Sequence, residues 1–453
     1  MAAQRSGAAA RTAMAALLLV VSSVLQLGEN VVAASTPMPV PVVKVSESCS
    51  FSCALEKVRG NGGGTIFVPP GEWLSPPVNL TSHLTIYLSA GATVKADPRV
   101  FEQKKWPLIA PLPTYGRGHD FAGPRWAPFF DGYDVVNLTI GGENGTIDGS
   151  GAFWWARHLA KLETHTRPPL FSCVRCSDMV LEDTTFRNSA FWTIHPVLGR
   201  RLTARRIHIL APNASPNTDG FDPDSTSDVV FEDSYVSNGD DAIAIKAGWD
   251  CAGYDSPDAA PSNNIFIRNI TQHIGGGGIS IGSEMSGGIS NVVVEDVRLL
   301  HGSYGIQIKT GITRGGYVKN VSISNIQITG TTKEAIRIDG FYGMVNTWCP
   351  DPNKRIPSVV DNISISNVAV RNANLSLHFR GPEDVPTTRV RLSNVSFGCD
   401  GGPLHKPHCS SSQYGNCCLI GECFGGVEFT ATGIIPPNAL EQCNASPQRS
   451  LTE

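Results

Sequence analysis

The sequence of 453 residues has little net charge, no apolar stretch after residue 27 that could cross a bilayer and no long helical period. Its 36 basic and 40 acidic side chains leave a formal net charge of −4. Such a chain has no electrostatic reason to bind nucleic acid or an anionic membrane. The 46 glycines and 31 prolines lack the collagen period, and 41% hydrophobic residues exclude a disordered chain. What remains is a large folded protein, with two or three ordinary domains or one repetitive domain.

The N-terminus has the features of a secretory signal peptide. Arg5 and Arg11 precede an apolar stretch at 13–27, and small residues follow at 32–34. This order predicts a signal peptide over residues 1–34. An uncleaved anchor is the alternative, but the apolar stretch is shorter than the roughly 20 residues that a membrane span needs. After cleavage we therefore expect no membrane contact.

Cysteines and glycosylation sequons agree with export. The chain has 12 cysteines, and an oxidising compartment is where disulfides form and persist. Asn-x-Ser/Thr sequons occur at Asn79, Asn137, Asn144, Asn213, Asn269, Asn320, Asn362, Asn374, Asn394 and Asn444. Several of them fall inside a repeat that has its own use for asparagine, so the cysteines are the better evidence. We expect a secreted, extracellular or cell-wall protein.

A repeat organises most of the chain. Eight segments of alternating aliphatic residues begin at Asp178, Arg201, Asp228, Asn264, Asn291, Asn320, Asn362 and Arg389. The period is a little under thirty residues, with two insertions. Alternation with a period of two indicates half-buried strands. Stretches 62–73 and 83–94 have the character of the first repeats.

A second strand follows in many repeats, at 242–248, 278–284, 305–311, 335–340 and 375–381. Stacked repeats of this kind predict an all-β fold, a single-stranded right-handed parallel β-helix. Neither a leucine-rich repeat nor a propeller has this pattern. Its inward ladders are Ile243/Ile245, Ile279/Ile281, Ile306/Ile308 and Ile336/Ile338. We place the β-helix catalytic domain at 45–398 and a Cys-rich cap, with six cysteines, at 399–453.

The alternation also predicts which side chains of the second strand face outward. Stacked about 4.8 Å apart, they form a polar column of Ala244, Lys246, Ser280, Gly282, Gln307, Lys309, Arg337, Asp339, Ser376, His378 and Arg380. The column has a cationic bias in a protein of negative net charge. Without further signals, a solvated sheet face explains it equally well.

Acidic residues lie next to this column. Asn217-Thr218-Asp219-Gly220 precedes one strand and Gly239-Asp240-Asp241 precedes the next, so Asp219 and Asp240 are 21 residues apart, nearly one repeat. Either motif alone fits an ordinary turn. Together they place three carboxyl groups at one sheet edge, where mutual repulsion raises one pKa and keeps one acid protonated.

The motif series resembles glycoside hydrolase family 28, the polygalacturonases of the plant type, through NTDGFD, GDDAIAIK, GISIGSEMSGG and GIQIKTG in that order. The resemblance implies a monomeric right-handed β-helix, a pectin-lyase-like solenoid, that hydrolyses galacturonan-type pectin with inversion and without metal or cofactor. It implies that Asp240 is the general acid, that Asp219 and Asp241 activate water, and that Lys309 binds a substrate carboxylate. The other candidate substrate contacts are Asn217, Gln307, His195, Lys246 and Arg337.

Two positions depart from that family. Where it has a histidine, this chain has Gly276 or Gly277, depending on the alignment, and His273 lies too early to align. Gln307 replaces an arginine and loses its bidentate fork. A general acid–base partner contributes about 10²–10⁴ in rate, so the missing histidine favours slower hydrolysis or a different pectic substrate. His195 is a lone histidine, and such a residue is more often part of the core than a substrate ligand.

Several alternatives stay open. The substrate is galacturonan or rhamnogalacturonan, and the action endo or exo. A pectate lyase would need calcium on carboxylates such as Asp219, Asp222, Asp224 and Asp228. A pectin-binding β-helix without turnover is the third class. The sequence does not decide among them, although the order of the motifs favours the hydrolase.

Overall fold

The computed structural model describes residues 41–343, 349, 351, 356–400, 421–423, 425–436 and 440. The predicted signal peptide lies outside the described residues, as do Cys409, Cys417, Cys418 and Cys443 of the predicted cap. In the described part of the chain, no helix is long and apolar enough to cross a membrane.

Parallel strands form three faces of a solenoid. The short strands of the first face are β1 (Val42–Lys44), β2 (Gly64–Val68), β5 (Leu84–Leu88) and β10 (Val136–Gly142). Those of the second face are β3 (Gly71–Ser75), β6 (Ala92–Ala96) and β11 (Gly145–Asp148). The third face contains β4 (Val78–Asn79), β9 (Phe130–Tyr133), β12 (Phe171–Val174), β14 (Ile194–Val197), β17 (Ile243–Ile245), β21 (Glu334–Asp339), β23 (Leu375–Arg380) and β25 (Glu422–Cys423).

Longer strands turn a corner and serve two faces. Those that run through the first and second faces are β13 (Ser177–Arg187), β15 (Arg200–Leu210), β16 (Ser227–Ser237), β20 (Tyr317–Thr329), β22 (Val359–Arg371), β24 (Thr387–Gly398) and β26 (Val427–Ile435). β18 (Ser262–Ile281) and β19 (Ile289–Lys309) continue into the third face. One antiparallel pair, β7 (Leu108–Ile109) with β8 (Arg125–Trp126), lies in the long connection before β9.

The predicted ladders are confirmed by the register. Ile243 pairs with Ile279, Ile279 with Ile306, and Ile306 with Ile336. All eight isoleucines of the two ladders are buried in the interior of the solenoid. Their outward neighbours are therefore also in register, and Ala244, Ser280, Gln307 and Arg337 follow one another along the third face.

The corners explain why the repeat contains asparagine. Asn320 and Asn362 adopt left-handed φ angles of 56° and 58°, a conformation that asparagine tolerates. Each donates its amide to the rung below, Asn320 to Asn291 Oδ1 at 3.1 Å and Asn362 to Asn320 Oδ1 at 2.8 Å. The sequons at these positions thus coincide with amide groups that hold the solenoid together.

A helix at the N-terminal end was not expected. α1 (Phe51–Gly60) buries Phe51, Ala54, Leu55 and Val58 against the solenoid, and Ser50 caps it by accepting from the Cys53 amide at 3.3 Å. These four positions do have helical spacing, but over only ten residues. The helix contacts β1 and β2 and covers the open end of the solenoid, so tertiary packing stabilises it.

Three further helices are short: α2 (Arg99–Glu102), α3 (Gly151–Leu159) and α4 (Asp250–Asp255). Disulfides join Cys49 to Cys53, Cys173 to Cys176, and Cys251 to Cys349. At the other end, β26 pairs with β24 and β25 with β23, so parallel stacking continues beyond residue 398. The predicted boundary between solenoid and cap stays a prediction.

Candidate active site

Three carboxyl groups meet where two rungs of the third face begin. Phe221 pairs with Ile243 on the next rung, and the Gly220 amide donates to Asp241 O at 2.9 Å. This register brings Asp219 beside the turn that holds Asp240 and Asp241. One oxygen of each acid lies within 4.8 Å of the others. The structure therefore brings together the three acids that the spacing of the motifs singles out.

Burial and mutual repulsion shift the titration of these acids. Asp219 and Asp241 are buried, while Asp240 is half-buried. Burial, and next the charge of Asp241, raise the pKa of Asp240 to about 6. Burial and the charge of Asp240 likewise raise the pKa of Asp219 well above its usual value. The group therefore retains at least one proton in mildly acidic solution.

Two buried lysines lie beside the acids. Lys309 Nζ donates to Asp241 Oδ2 at 2.8 Å. Lys246 Nζ lies 3.5 Å from Asp219 Oδ2, 4.0 Å from Asp222 Oδ1 and 3.2 Å from Glu284 Oε2. Burial alone would lower the pKa of Lys246, but the carboxylates of Glu284, Asp219 and Asp222 raise it well above its usual value. Lys246 is thus a charged partner of the acids inside the protein.

Glu284 is a member of this network to which sequence analysis assigned no role, although it belongs to a recognised motif. Burial alone would raise its pKa, but Lys246, His119 and Arg314 lower it far below the usual value. The sequence of the motif does not indicate that Glu284 pairs with cations, because these cations come from distant parts of the chain.

The other predicted substrate contacts differ in position. Gln307 is buried and donates to Ser280 Oγ at 3.1 Å. Arg337 is ion-paired with Asp339 and lies between the rings of Tyr304 and Tyr342, 5.3 and 5.6 Å from their centroids. Both belong to the third face, on rungs after the acids, and Arg337 is partly exposed there.

His195 is buried, with 1% of its side chain exposed. Its Nε2 is 3.1 Å from Asp224 Oδ2, which also accepts from Tyr115 Oη at 2.6 Å. Burial lowers the pKa of His195 more than Asp224 raises it. In this structure His195 is a neutral core residue beneath Tyr115, and it does not reach the surface where a polysaccharide would lie.

Arg167 is a functional candidate that sequence analysis did not identify. Its guanidinium donates to Asn217 Oδ1 at 2.7 Å, Pro216 O at 2.8 Å and Ala190 O at 3.1 Å, and pairs with Asp120 at 3.4 Å. It is fully buried, and it holds the turn that leads into Asp219. Its partners are 23 to 50 residues away, so no local pattern indicates it.

Replacing Arg167 tests this role. We expect Arg167→Met to lower the free energy of unfolding by about 3–5 kcal/mol, since it leaves Asp120 and three acceptors buried without their partner. The matched control is Arg205→Met, whose side chain is 41% exposed and pairs with Glu182 at 2.7 Å; it should cost about 0–1 kcal/mol. Urea unfolding of both variants gives the comparison, and equal losses would contradict the role of Arg167.

Gly276 and Gly277, the two candidates for the position where the family has a histidine, are both tightly enclosed. A Cβ built on Gly277 would overlap Asp241 Oδ1 and Gln307 Nε2, and one on Gly276 would lie 2.9 Å from Asp240 Cα. A histidine side chain at position 277 would need the space that the Gln307 amide occupies. The two departures from the family, Gly277 and Gln307, are neighbours in space.

The acidic residues Asp219, Asp222, Asp224 and Asp228 do not form one calcium-type cluster. Asp224 bonds Tyr115 and the Gly248 amide, and Asp228 accepts from Asn264 at a solenoid corner. Among the described residues, only Asp219, Asp240 and Asp241 meet as a group of three such ligands. Within that group, Lys309 donates to Asp241 and Lys246 lies 3.5 Å from Asp219, so two of the three acids have a lysine partner.

Comparisons with known proteins show the family of the chain. The sequence profile described as Glycosyl hydrolases family 28 matches residues 66–418. A Vitis vinifera protein named as a probable polygalacturonase is 39% identical over 345 residues, covering 76% of this chain and 68% of that protein. An endo-polygalacturonase of Pectobacterium carotovorum subsp. carotovorum is 27% identical over 354 residues, covering 73% of this chain and 83% of that protein.

Two solved structures share the fold. The exopolygalacturonase of Thermotoga maritima superposes with a TM-score of 0.69 at 23% identity, covering 91% of this chain and 96% of that one. A polygalacturonase from Erwinia carotovora ssp. carotovora superposes with a TM-score of 0.66 at 21% identity, covering 88% and 99%. This similarity confirms the predicted right-handed parallel β-helix.

Proposed function

Because the chain belongs to the glycosyl hydrolases family 28 and is a pectin-degrading glycoside hydrolase, we propose that it cleaves α-1,4-galacturonosyl linkages with Asp240 as the general acid. The observation that supports this role most strongly is that Asp240, unlike the buried Asp219 and Asp241, is half-buried and can be reached by the leaving oxygen. Its pKa is raised to about 6. An acid of that strength is protonated in mildly acidic solution and still gives up its proton readily.

The proposed reaction uses one water molecule. Asp240 gives its proton to the glycosidic oxygen as the bond from that oxygen to the anomeric carbon breaks. Water attacks the anomeric carbon, and its proton passes to the Asp219–Asp241 pair, so the new reducing end keeps the hydroxyl. Lys309 donates to Asp241 Oδ2 in this structure. We propose it as the partner of a substrate carboxylate, because its positive charge offsets the negative charge of the galacturonate.

The stereochemical outcome is a separate part of the proposal. Inverting pairs usually have carboxyl groups about 6.5–9.5 Å apart, whereas these three acids have oxygens within 4.8 Å of one another. The expected wide separation is not seen between the nearest oxygens, and inversion rests on the family resemblance. Proton NMR of the first product tests it: the β-anomer means inversion, and the α-anomer means retention.

A substrate panel tests the linkage. We expect new reducing ends from polygalacturonate and much slower release from rhamnogalacturonan, because Lys309 and Arg337 suit a substrate with a carboxylate on every sugar. A preference for rhamnogalacturonan would instead make Gln307 and Gly277 marks of another pectic substrate. Secretion through cleavage after residue 34 is part of the same proposal, and N-terminal sequencing of exported protein tests it.

The pH dependence follows from the protonation of Asp240. Burial and the Asp241 charge raise its pKa to about 6, and only the protonated form can act as the acid. We therefore expect kcat/KM to fall about tenfold per pH unit above pH about 6, and to fall again in acid as the bases become protonated. A profile that stays flat to pH 8 would contradict the role of Asp240.

A further inference from the structure

The connection that contains β7 and β8 lies over the third face on one side of the acids. Its segment 112–121, called here the wall segment, is anchored at the neighbouring residues Thr114 and Tyr115. Tyr115 Oη donates to Asp224 Oδ2 at 2.6 Å, and the Trp249 amide donates to Thr114 O at 2.9 Å. The wall segment is therefore held by one rung before β17 and by the chain that follows β17.

His119 of the wall segment contacts the network of charged side chains around the acids. Its ring lies 5.1 Å from each of the Trp192 and Trp249 ring centroids, so it is fixed between the two rungs. His119 Nε2 is 3.8 Å from Glu284 Oε1. Glu284 in turn contacts Lys246, which contacts Asp219. Only two side chains separate the wall segment from the proposed catalytic centre.

Exposure along the third face differs on the two sides of the acids. On the rung before them, Phe191 and Trp192 are 1% and 3% exposed beneath the ring of His119. On the rungs after them, Gly276 and Ser303, in line with Asp240, and Tyr304, in line with Asp241, are partly exposed. In the part of the chain that the structure describes, the positions in line with the acids are thus covered on one side and partly accessible on the other.

From this geometry we propose that the wall segment closes the cleft beside the acids, so that the enzyme accepts only a chain end there and releases one or two sugars at a time. An internal stretch of polysaccharide would have to pass through His119 and Trp249 to lie across the acids. The inference rests on the proposed function and adds the mode of attack to it.

Product analysis on long polygalacturonate tests the proposal. We expect galacturonate or its dimer from the earliest time points, with solution viscosity nearly unchanged while reducing ends accumulate. Early oligomers of mixed length with a rapid loss of viscosity would contradict the proposed closure of the cleft and leave the proposed hydrolysis supported. An absence of any new reducing ends would overturn the hydrolase and the wall together.

A variant adds a second readout. His119→Ala should raise the early ratio of longer oligomers to monomer and dimer by about tenfold, a size typical for loss of one group that shapes a pocket. His208→Ala, at an exposed position on the second face, is the matched control and should leave that ratio unchanged. An unchanged product pattern in a folded His119→Ala variant would contradict a role of His119 in closing the cleft.

Discussion

Asp240→Asn is expected to lower kcat on polygalacturonate by about 10²–10⁴-fold, with a circular dichroism spectrum and thermal midpoint like those of the unchanged protein. The amide keeps the size of the carboxyl group and can still accept from the Asp241 amide, as Asp240 Oδ1 now does at 2.9 Å. What it loses is the proton that the leaving oxygen needs. Since the change also removes a raised-pKa acid from a crowded group, it should not destabilise the fold.

Asp233→Asn is the matched control. Asp233 lies at a solenoid corner and accepts from Asn269 Nδ2 at 2.7 Å. The equivalent corner residues of other rungs, Asn325 and Asn367, are already asparagine and form the same kind of bond. This variant should therefore keep full activity. A folded Asp240→Asn enzyme with unchanged turnover would show that the general acid is another residue.

Gly277→Ala should reduce kcat by about 10²-fold. The added Cβ would overlap Asp241 Oδ1 and Gln307 Nε2, and the carboxylate has to move to make room. A shift of about 1 Å in a reacting group is enough to cost about 10²-fold in rate. The effect should appear in kcat more than in KM, because Asp241 acts on water and the glycine makes no proposed contact with the sugar chain.

Gly302→Ala, on the neighbouring rung, is the matched control. Gly302 pairs with Gly275 in the same strand pair that contains Gly277, and a Cβ there would meet Tyr304 O at an ordinary 3.4 Å. We expect this variant to keep its activity. Adding Gln307→Ala to Gly277→Ala should restore little, because the overlap with Asp241 remains. Full activity in Gly277→Ala would mean that Asp241 has more freedom than its contacts indicate.

The solenoid could be predicted from sequence because each repeat contains its own alternation of aliphatic and polar residues. Alternation with a period of two indicates strands, and the isoleucine pairs beginning at Ile243, Ile279, Ile306 and Ile336 fall one above another once the repeat is aligned. The helix at Phe51–Gly60 could not be recognised in the same way. Its apolar spacing is short, and what makes it stable is the open end of the solenoid that it covers.

The acids of the site could also be placed from sequence, since Asp219 and Asp240 are nearly one repeat apart. The contacts that support them could not. Arg167 reaches Asn217 across 50 positions, and Glu284 reaches Lys246 across 38. His195 is buried and pairs with Asp224, in agreement with the core role that the sequence analysis favoured over substrate contact. Such contacts depend on loops whose paths the repeat does not determine.

The most direct test of the proposed hydrolysis is incubation with polygalacturonate in the presence of a chelator, following reducing ends and the ultraviolet absorbance of unsaturated products together. We predict that reducing ends accumulate without any gain in absorbance, and that Asp240→Asn slows their release by about 10²–10⁴-fold. A gain in absorbance would mean that the bond is cleaved by elimination, which would contradict the roles given to Asp219, Asp240 and Asp241.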